Sequence, residues 1–492
     1  LADGQSGALG LGQQASTGLT TFYQLWVFTT PLFGGYLADT YLGRYKTICV
    51  AVAITLIGHI ILIISAIPGI IEHKSAIAPF AIAMVVIGLG TGTFKANVAP
   101  LVAEQYTRTR MFIRTEKNGE RVVVDPGLTM VRLFMYYYMV SNLGALLGQI
   151  TMTYAEKFVG FWLAYTLPTV VFLLCPLVLW LGRNRYIRSP PTGSILTTAL
   201  KLWRLAMTGR WSINPVRSYR QLRAPDFWES VKPSKLGSSK PSWMSFDDHW
   251  VDEVSRGFKA CSVFLWFPLY WLSFNQLNNN LTSQAATMST HGFPNDVLSN
   301  LDPFALLIFI PICDLLIYPF LRRVGLSWTP LKRITAGFGA GAAAMIWAAV
   351  VQHYIYKTSP CGYSAATCAD SEGNVLVSPL NVWIQSGSYI LIALSEIFAS
   401  ITGFEYAFTK APKNMKSLVS SIFLFTLAIS SALGEAFVSL SVDPLLVWNY
   451  GVVGVIAGVS GILFWTAMSK LDKEDVRSTK HGESAQVHGE DA

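Results

Sequence analysis

Of the ionisable side chains that stand inside apolar stretches of this chain, three could do chemistry: Lys95, Glu396 and Asp302. A charge at the centre of a membrane span costs about 3 kcal/mol or more unless it is paired or faces water. Lys95, in Gly88-Leu-Gly-Thr-Gly-Thr-Phe-Lys-Ala-Asn-Val, could hold a carboxylate or exchange a proton; its structural alternative is an ion pair with a neighbouring helix. Glu396 has Ser395 beside it and Ser400 one turn on, so it could hold an ammonium group or a proton. Its alternative is again a buried pair, with Lys95 a candidate partner. Asp302 precedes Pro303 and reads equally as a ligand or as a helix-capping carboxylate.

Polar groups of lower cost surround these. Asn142 and Gln149 lie two turns apart on one predicted helix, and Asn275 and Asn279 share a face if theirs continues outward. Such amides pair with another helix or with a substrate. Tyr136, Tyr137 and Tyr138 present hydroxyls on more than one side, Tyr138 being a candidate ligand. Glu405 is expected to meet Lys410, Asp314 and Glu435 to be packing pairs, and His59 to be a satisfied structural histidine. No hydrolytic motif or phosphate loop occurs, so neither an enzyme nor an ATP-driven pump is indicated. No Cys-x-x-Cys spacing supports a metal, and no cofactor is called for.

The elements that position these residues are membrane helices. Hydrophobic residues are 52% of 492 and charged residues 13%, against about a quarter charged in soluble domains. Apolar runs long enough to cross the bilayer predict eleven spans: 14–38, 47–68, 77–103, 129–153, 158–181, 258–277, 302–321, 334–356, 380–407, 418–440 and 445–468. Small residues at packing spacing, Gly337 and Gly341 or Gly451, Gly454, Gly458 and Gly461, fit a bundle. The formal charge of +8 comes from Lys and Arg in alternate loops, which orients the chain rather than pointing to nucleic acid. By that bias 182–257 and the tail after Lys470 face the cytoplasm, and the 357–378 loop lies outside, where Cys361 and Cys368 are expected to form a disulfide.

The expected organisation is an N-terminal helical half at 1–181, a cytoplasmic linker at 182–257, a six-helix half at 258–468 and a disordered tail at 469–492. Within the linker Ile195, Ala199, Leu202, Trp203 and Ala206 recur at helical spacing beside Lys201 and Arg204, the pattern of a helix on the membrane surface. Eleven crossings with an inside C-terminus put residue 1 outside, and a further helix is expected upstream of it.

Gly34-Gly-Tyr-Leu-Ala-Asp-Thr-Tyr-Leu-Gly-Arg-Tyr-Lys-Thr-Ile and Phe134-Met-Tyr-Tyr-Tyr-Met-Val-Ser-Asn-Leu-Gly-Ala resemble two signatures of the proton-dependent oligopeptide transporters, a family of the major facilitator superfamily. Phe94-Lys-Ala-Asn-Val and Thr402-Gly-Phe-Glu-Tyr-Ala-Phe-Thr-Lys are similar to further family motifs, and the likeness is to fungal members along essentially the whole chain. It implies an all-α integral membrane bundle of the major-facilitator type, eleven of twelve helices being present, with a central site between two halves. It also implies a plasma-membrane, monomeric symporter of di- and tripeptides with protons. Lys95 matches a lysine tied to proton coupling and to the substrate carboxylate, Asn142 an amide on the peptide, Glu396 the acid holding the amino terminus, and Ser400 its neighbouring hydroxyl. Four positions depart from the pattern: Ser141 replaces a usual small aliphatic residue, Phe28 a frequent tyrosine, Asn275 an acid, and Asp302 an asparagine. The Glu-x-x-Glu-Arg motif of the family's first helix is not in this sequence. Nitrate or another small solute is the competing cargo, and a truncated, non-transporting membrane protein the competing class.

Overall fold

A computed structural model describes residues 12–489 other than 72–75, 109–110, 116–118, 189, 192–194, 211–220, 222–223, 225, 279, 290–297, 299, 373–375, 412–415 and 438–439. Helices follow the apolar runs. The first half is α1 (Gly12–Leu37), α2 (Arg44–Ser65), α3 (Ile77–Glu104), α4 (Pro126–Phe158) and α5 (Phe161–Gly182). The linker holds α6 (Ile195–Met207) and leads into α7 (Asp248–Phe264). The second half continues with α8 (Phe267–Asn275), α9 (Asn280–Ala286), α10 (Leu301–Arg323), α11 (Pro330–Thr358), α12 (Val382–Lys410), α13 (Lys416–Glu435) and α14 (Leu446–Gly489).

Local chemistry fixes several helix starts. The Asp125 carboxylate accepts from Gly127 N at 2.7 Å with Pro126 at the first position of α4, and Asp247 accepts from Trp250 N at 3.0 Å ahead of α7. Among the described residues a π-helical turn ends α1 at Ala38–Leu42, and others interrupt α10 at Cys313–Ile317 and α12 at Glu396–Ile401. Between α3 and α4 the basic loop forms a short antiparallel hairpin of β1 (Phe112–Thr115) and β2 (Arg121–Val124), with Ile113 opposite Val123.

Among the described residues seven helices are long and apolar enough to cross a membrane: α2, α3, α5, α10, α11, α12 and the Leu446–Lys473 part of α14. The remaining expected spans are helical too, but their composition or continuity differs. α1 and α4 carry more polar side chains, the apolar part of α13 (Leu418–Gly434) is short, and α7 and α8 are separated at Leu265 and Trp266, where Pro268 starts a new helix. Side chains such as Val170, Val171, Leu174, Val178 and Leu181 of α5 are exposed, which suits lipid rather than water.

The glycine runs serve close approach of helices. A methyl built on Gly90 would lie 2.2 Å from Thr55 Oγ1 and 2.8 Å from the Ala51 carbonyl, so α2 and α3 touch there through backbone. One on Gly337 would meet Ala399 Cβ at 2.5 Å, bringing α11 onto α12. The second half has an aromatic core that includes Phe264, Phe267, Tyr270, Phe338, Phe423 and Phe464. The halves meet where α1 packs on α13 and α4 on α10. A further buried cluster spans that junction, joining Ala99, Ala103, Phe134 and Met135 to Leu306, Ile310, Ile397 and Phe408.

Two expectations are corrected. The apolar stripe of α6 does not lie on lipid: Ala199, Leu202 and Ala206 are buried against Phe227, Val231, Met244, Val251 and Val254. An amphipathic stripe needs any apolar partner, and the folded linker supplies one. The tail expected to be disordered continues α14 as helix to Gly489. Extending a formed helix avoids the nucleation cost, and residues 467–476 contain neither Pro nor Gly. Asn279 lies outside the described residues, as does the side chain of Glu435. α8 ends at Asn275 and passes into a 3₁₀ turn, Gln276–Asn278. In the 357–378 loop Cys361 and Cys368 are joined, with their Cα atoms 5.6 Å apart.

Candidate functional site

Glu396 opens the π turn of α12 and is 2% exposed. Such turns displace one residue from the regular ladder and recur at functional sites. Its hydrogen-bond partner comes from the other half: Tyr138 Oη of α4 donates to Glu396 Oε2 at 2.6 Å. Ser400 is equally buried and lies beside that hydroxyl. The partner weighed for Glu396, Lys95, is not the one it has.

Asp302 is buried at the start of α10 and is near enough to Glu396, Tyr138 and Tyr389 to interact electrostatically. Among the described residues its Oδ1 has no hydrogen-bond partner. It does not cap its helix: the capping position is Asn300, and no side-chain cap bond is made. Two buried carboxyl groups thus lie close enough to interact, and two unneutralised negative charges there would repel strongly. The arrangement favours binding a cation there or holding a proton.

Lys95 is exposed although it sits within α3, and its ammonium stands 4.9 Å from the centroid of the Phe28 ring. Phe28 in turn packs against the core of the second half, so Lys95 borders the space between the halves. Among the described residues it makes no ion pair. A cation over an aromatic face is weakly held and remains available to an anion. Asn142, half-buried one turn from Tyr138, donates only to the Tyr138 carbonyl of its own helix at 3.0 Å. Asn275 is drawn to α13 instead, donating to Ser430 Oγ at 3.3 Å. The structure therefore joins Tyr138 to Glu396 with Ser400 and Asp302 nearby, leaves Lys95 and Asn142 on helices of the first half, and turns Asn275 to a helix contact.

Tyr270 was not anticipated. Its hydroxyl lies 3.3 Å from Ser395 Oγ, which is 2.7 Å from the Gly337 carbonyl, and it is close to both Glu396 and Asp302. Twenty tyrosines and a run of aromatics around position 270 leave no signal that would single it out.

Ion pairs fasten the ends that carry the basic loops. Arg44 bonds Asp39 at 3.1 Å and also Glu104, while Asp39 Oδ2 accepts from Leu418 N at 3.0 Å, across the halves. Arg132 of α4 meets Asp314 of α10 at 2.9 Å, also across the halves. Glu405 does not meet Lys410: Arg333 of α11 grips it through both guanidinium nitrogens, at 2.9 and 3.1 Å. The planar fork outcompetes a flexible ammonium for a buried carboxylate. His59 stacks on Phe172 at 5.8 Å, and its Nδ1, expected to be satisfied, has no partner among the described residues.

The profile of the POT family matches residues 45–453, which takes in every element of this site except Phe28. The chain belongs to the POT family. The chain is 42% identical over 462 residues to "Peptide transporter PTR_B" of Candidozyma auris, covering 93% of this chain and 75% of that one. It is 39% identical over 473 residues to "Peptide transporter PTR2" of Saccharomyces cerevisiae, covering 96% and 74%. The crystal structure of the POT family transporter PepTSo superposes with a TM-score of 0.63 over 94% of this chain and 90% of that one, at 21% identity, a likeness of fold. This POT-family chain is thus a multi-pass membrane transporter and not an enzyme.

Proposed function

We propose that the chain is a proton-coupled symporter that imports di- and tripeptides across the plasma membrane by alternating access. In this reading residues 1–181 and 258–468 belong to the two halves of the bundle, and 182–257 and the C-terminus face the cytoplasm. A monomer suffices. The observation that carries the reading is the Tyr138–Glu396 bond across the halves, with the uncommitted ammonium of Lys95 on a helix of the first half. A peptide zwitterion offers an amine to Glu396 and a carboxylate to Lys95, and so bridges the halves as alternating access requires. Asn142, Ser400, Asp302 and Tyr138 line the same space; Asn275 acts through α13. Arrival of a proton at Glu396 weakens its hold on the amine and releases the cargo. An anionic cargo such as nitrate finds only Lys95 and is repelled by Glu396 and Asp302.

The test uses the full-length protein in liposomes with an imposed pH gradient. Glu396→Gln removes the charge but keeps the shape. Uptake of a labelled dipeptide with a free amino terminus should fall about tenfold or more, the loss expected when one charge-assisted contact worth ~1.5–3 kcal/mol is removed. Uptake of an N-blocked analogue should fall much less. Equal losses for both would refute the assignment of Glu396 to the amino terminus.

A further inference from the structure

Polar side chains continue from the carboxyl pair toward the end of the bundle that bears the 357–378 loop. Tyr389 lies seven residues before Glu396 on α12, two turns along the same face and about 10 Å away. It is fully buried and near Asp302. Tyr450 of α14, also fully buried, is near both Tyr389 and Tyr356 of α11. Tyr356 Oη donates to Asp443 Oδ1 at 2.6 Å. Asp443 is partly exposed, and its other oxygen accepts from Ala366 N at 2.7 Å, inside the loop closed by Cys361 and Cys368.

Among the described residues the hydroxyls of Tyr389 and Tyr450 and Oδ1 of Asp302 make no hydrogen bond. A buried hydroxyl without a partner is costly and takes up water where it can. Packing alone would be served better by phenylalanine at both tyrosines. Three helices instead each contribute a tyrosine to one buried cluster that lies between a partly exposed carboxylate and the buried pair.

We propose that Asp443, Tyr356, Tyr450, Tyr389 and Asp302 form the route by which protons pass from the outer surface to Glu396. The proposal rests on the proton-coupled reading above and adds the path. A proton held by Asp443 passes to the Tyr356 oxygen as that hydroxyl gives up its own proton, and water carries the hop to Tyr450 and then to Tyr389. Each hydroxyl ends as neutral as it began, one proton leaves Asp443 and one arrives at Asp302 or Glu396. The charged and titratable groups facing the route are the two carboxyl groups with Tyr138 and Tyr270 at its inner end, and Asp443 at its outer end. Gln352 of α11 lies against Tyr356, while His353 and Lys357 of α11 are exposed.

The experiment compares the full-length protein with its Tyr389→Phe, Tyr450→Phe and doubly substituted forms in liposomes containing a pH-sensitive dye. Phenylalanine preserves the packing and removes only the hydroxyl. In the double variant, acidification of the lumen coupled to dipeptide uptake and concentrative uptake itself should fall about tenfold. Counterflow of labelled dipeptide without a pH gradient should stay near the wild-type rate. Wild-type acidification and accumulation by the double variant would overturn the route. So would a parallel loss of counterflow, which would make the tyrosines structural. A double variant that does not elute as folded protein is replaced by the single ones, read the same way. If the unsubstituted protein exchanges dipeptide but never couples it to protons, the symport reading fails instead, whatever the variants do.

Discussion

At the scale of single residues, the site depends on which side chains are left uncommitted. Glu396 has one neutral donor, Tyr138, and Lys95 has an aromatic face and no carboxylate. Tyr138→Phe should therefore do more than delete a contact, because the same bond ties α4 to α12. Dipeptide uptake by that variant should fall about tenfold, with the affinity for peptide changing as well as the maximal rate. Wild-type saturation kinetics would argue against any role for the hydroxyl. Lys95→Ala should abolish concentrative uptake driven by a pH gradient, and accumulation at the wild-type level would remove Lys95 from the coupling. The residues that carry these expectations were legible because charge in an apolar run is rare. Tyr138 was legible only as one of three adjacent tyrosines. Tyr270, Tyr389 and Tyr450 were not, since a tyrosine in a membrane helix is ordinary until its neighbours across the bundle are known. Glu405 shows the opposite error: the nearest cation in the chain, Lys410, loses to Arg333, 72 residues away.

At the scale of elements, helix existence was readable and helix surroundings were not. Every expected span contains helix, yet the stripe of α6 looks the same whether it is to meet lipid or Phe227. The break between α7 and α8 follows from Pro268, and the π turn at Glu396 from nothing visible in the local sequence. The packing glycines were readable by their spacing, as at Gly337, and the structure shows how little room the Gly88-Leu-Gly-Thr-Gly run of α3 leaves as well. Gly90→Val places branched carbon against Thr55 and the Ala51 carbonyl, so α2 and α3 must part. The substitution should cost about 1–3 kcal/mol of stability and lower the temperature at which the detergent-solubilised protein loses its monodisperse elution. An unchanged transition would mean that the α2–α3 contact is not as close as described.

At the scale of the whole molecule, the two halves touch through a small set of polar contacts. Tyr138–Glu396, Arg132–Asp314 and Leu418 N–Asp39 join them, alongside the apolar cluster around Phe134 and Ile397. Polar bonds of this kind, made and broken as units, suit halves that separate and rejoin in the alternating-access reading. The orientation assigned from loop charge is open to direct measurement on intact cells, with Cys49, Cys175, Cys261 and Cys313 replaced by Ala. An impermeant thiol reagent should label Glu372→Cys in the outer loop and leave Lys201→Cys in α6 unlabelled. Labelling at 201 and not at 372 would invert the topology.

The burial of α6 has a mechanical corollary. Because Ala199, Leu202 and Ala206 share a core with Val251, Val254 and Phe264, α6 is carried by the second half. In the alternating-access reading α6 then travels with the second half, whereas Ile187 stays with the first, its backbone N donating to Gln105 Oε1 at 3.0 Å and its carbonyl accepting from Gln105 Nε2 at 3.2 Å.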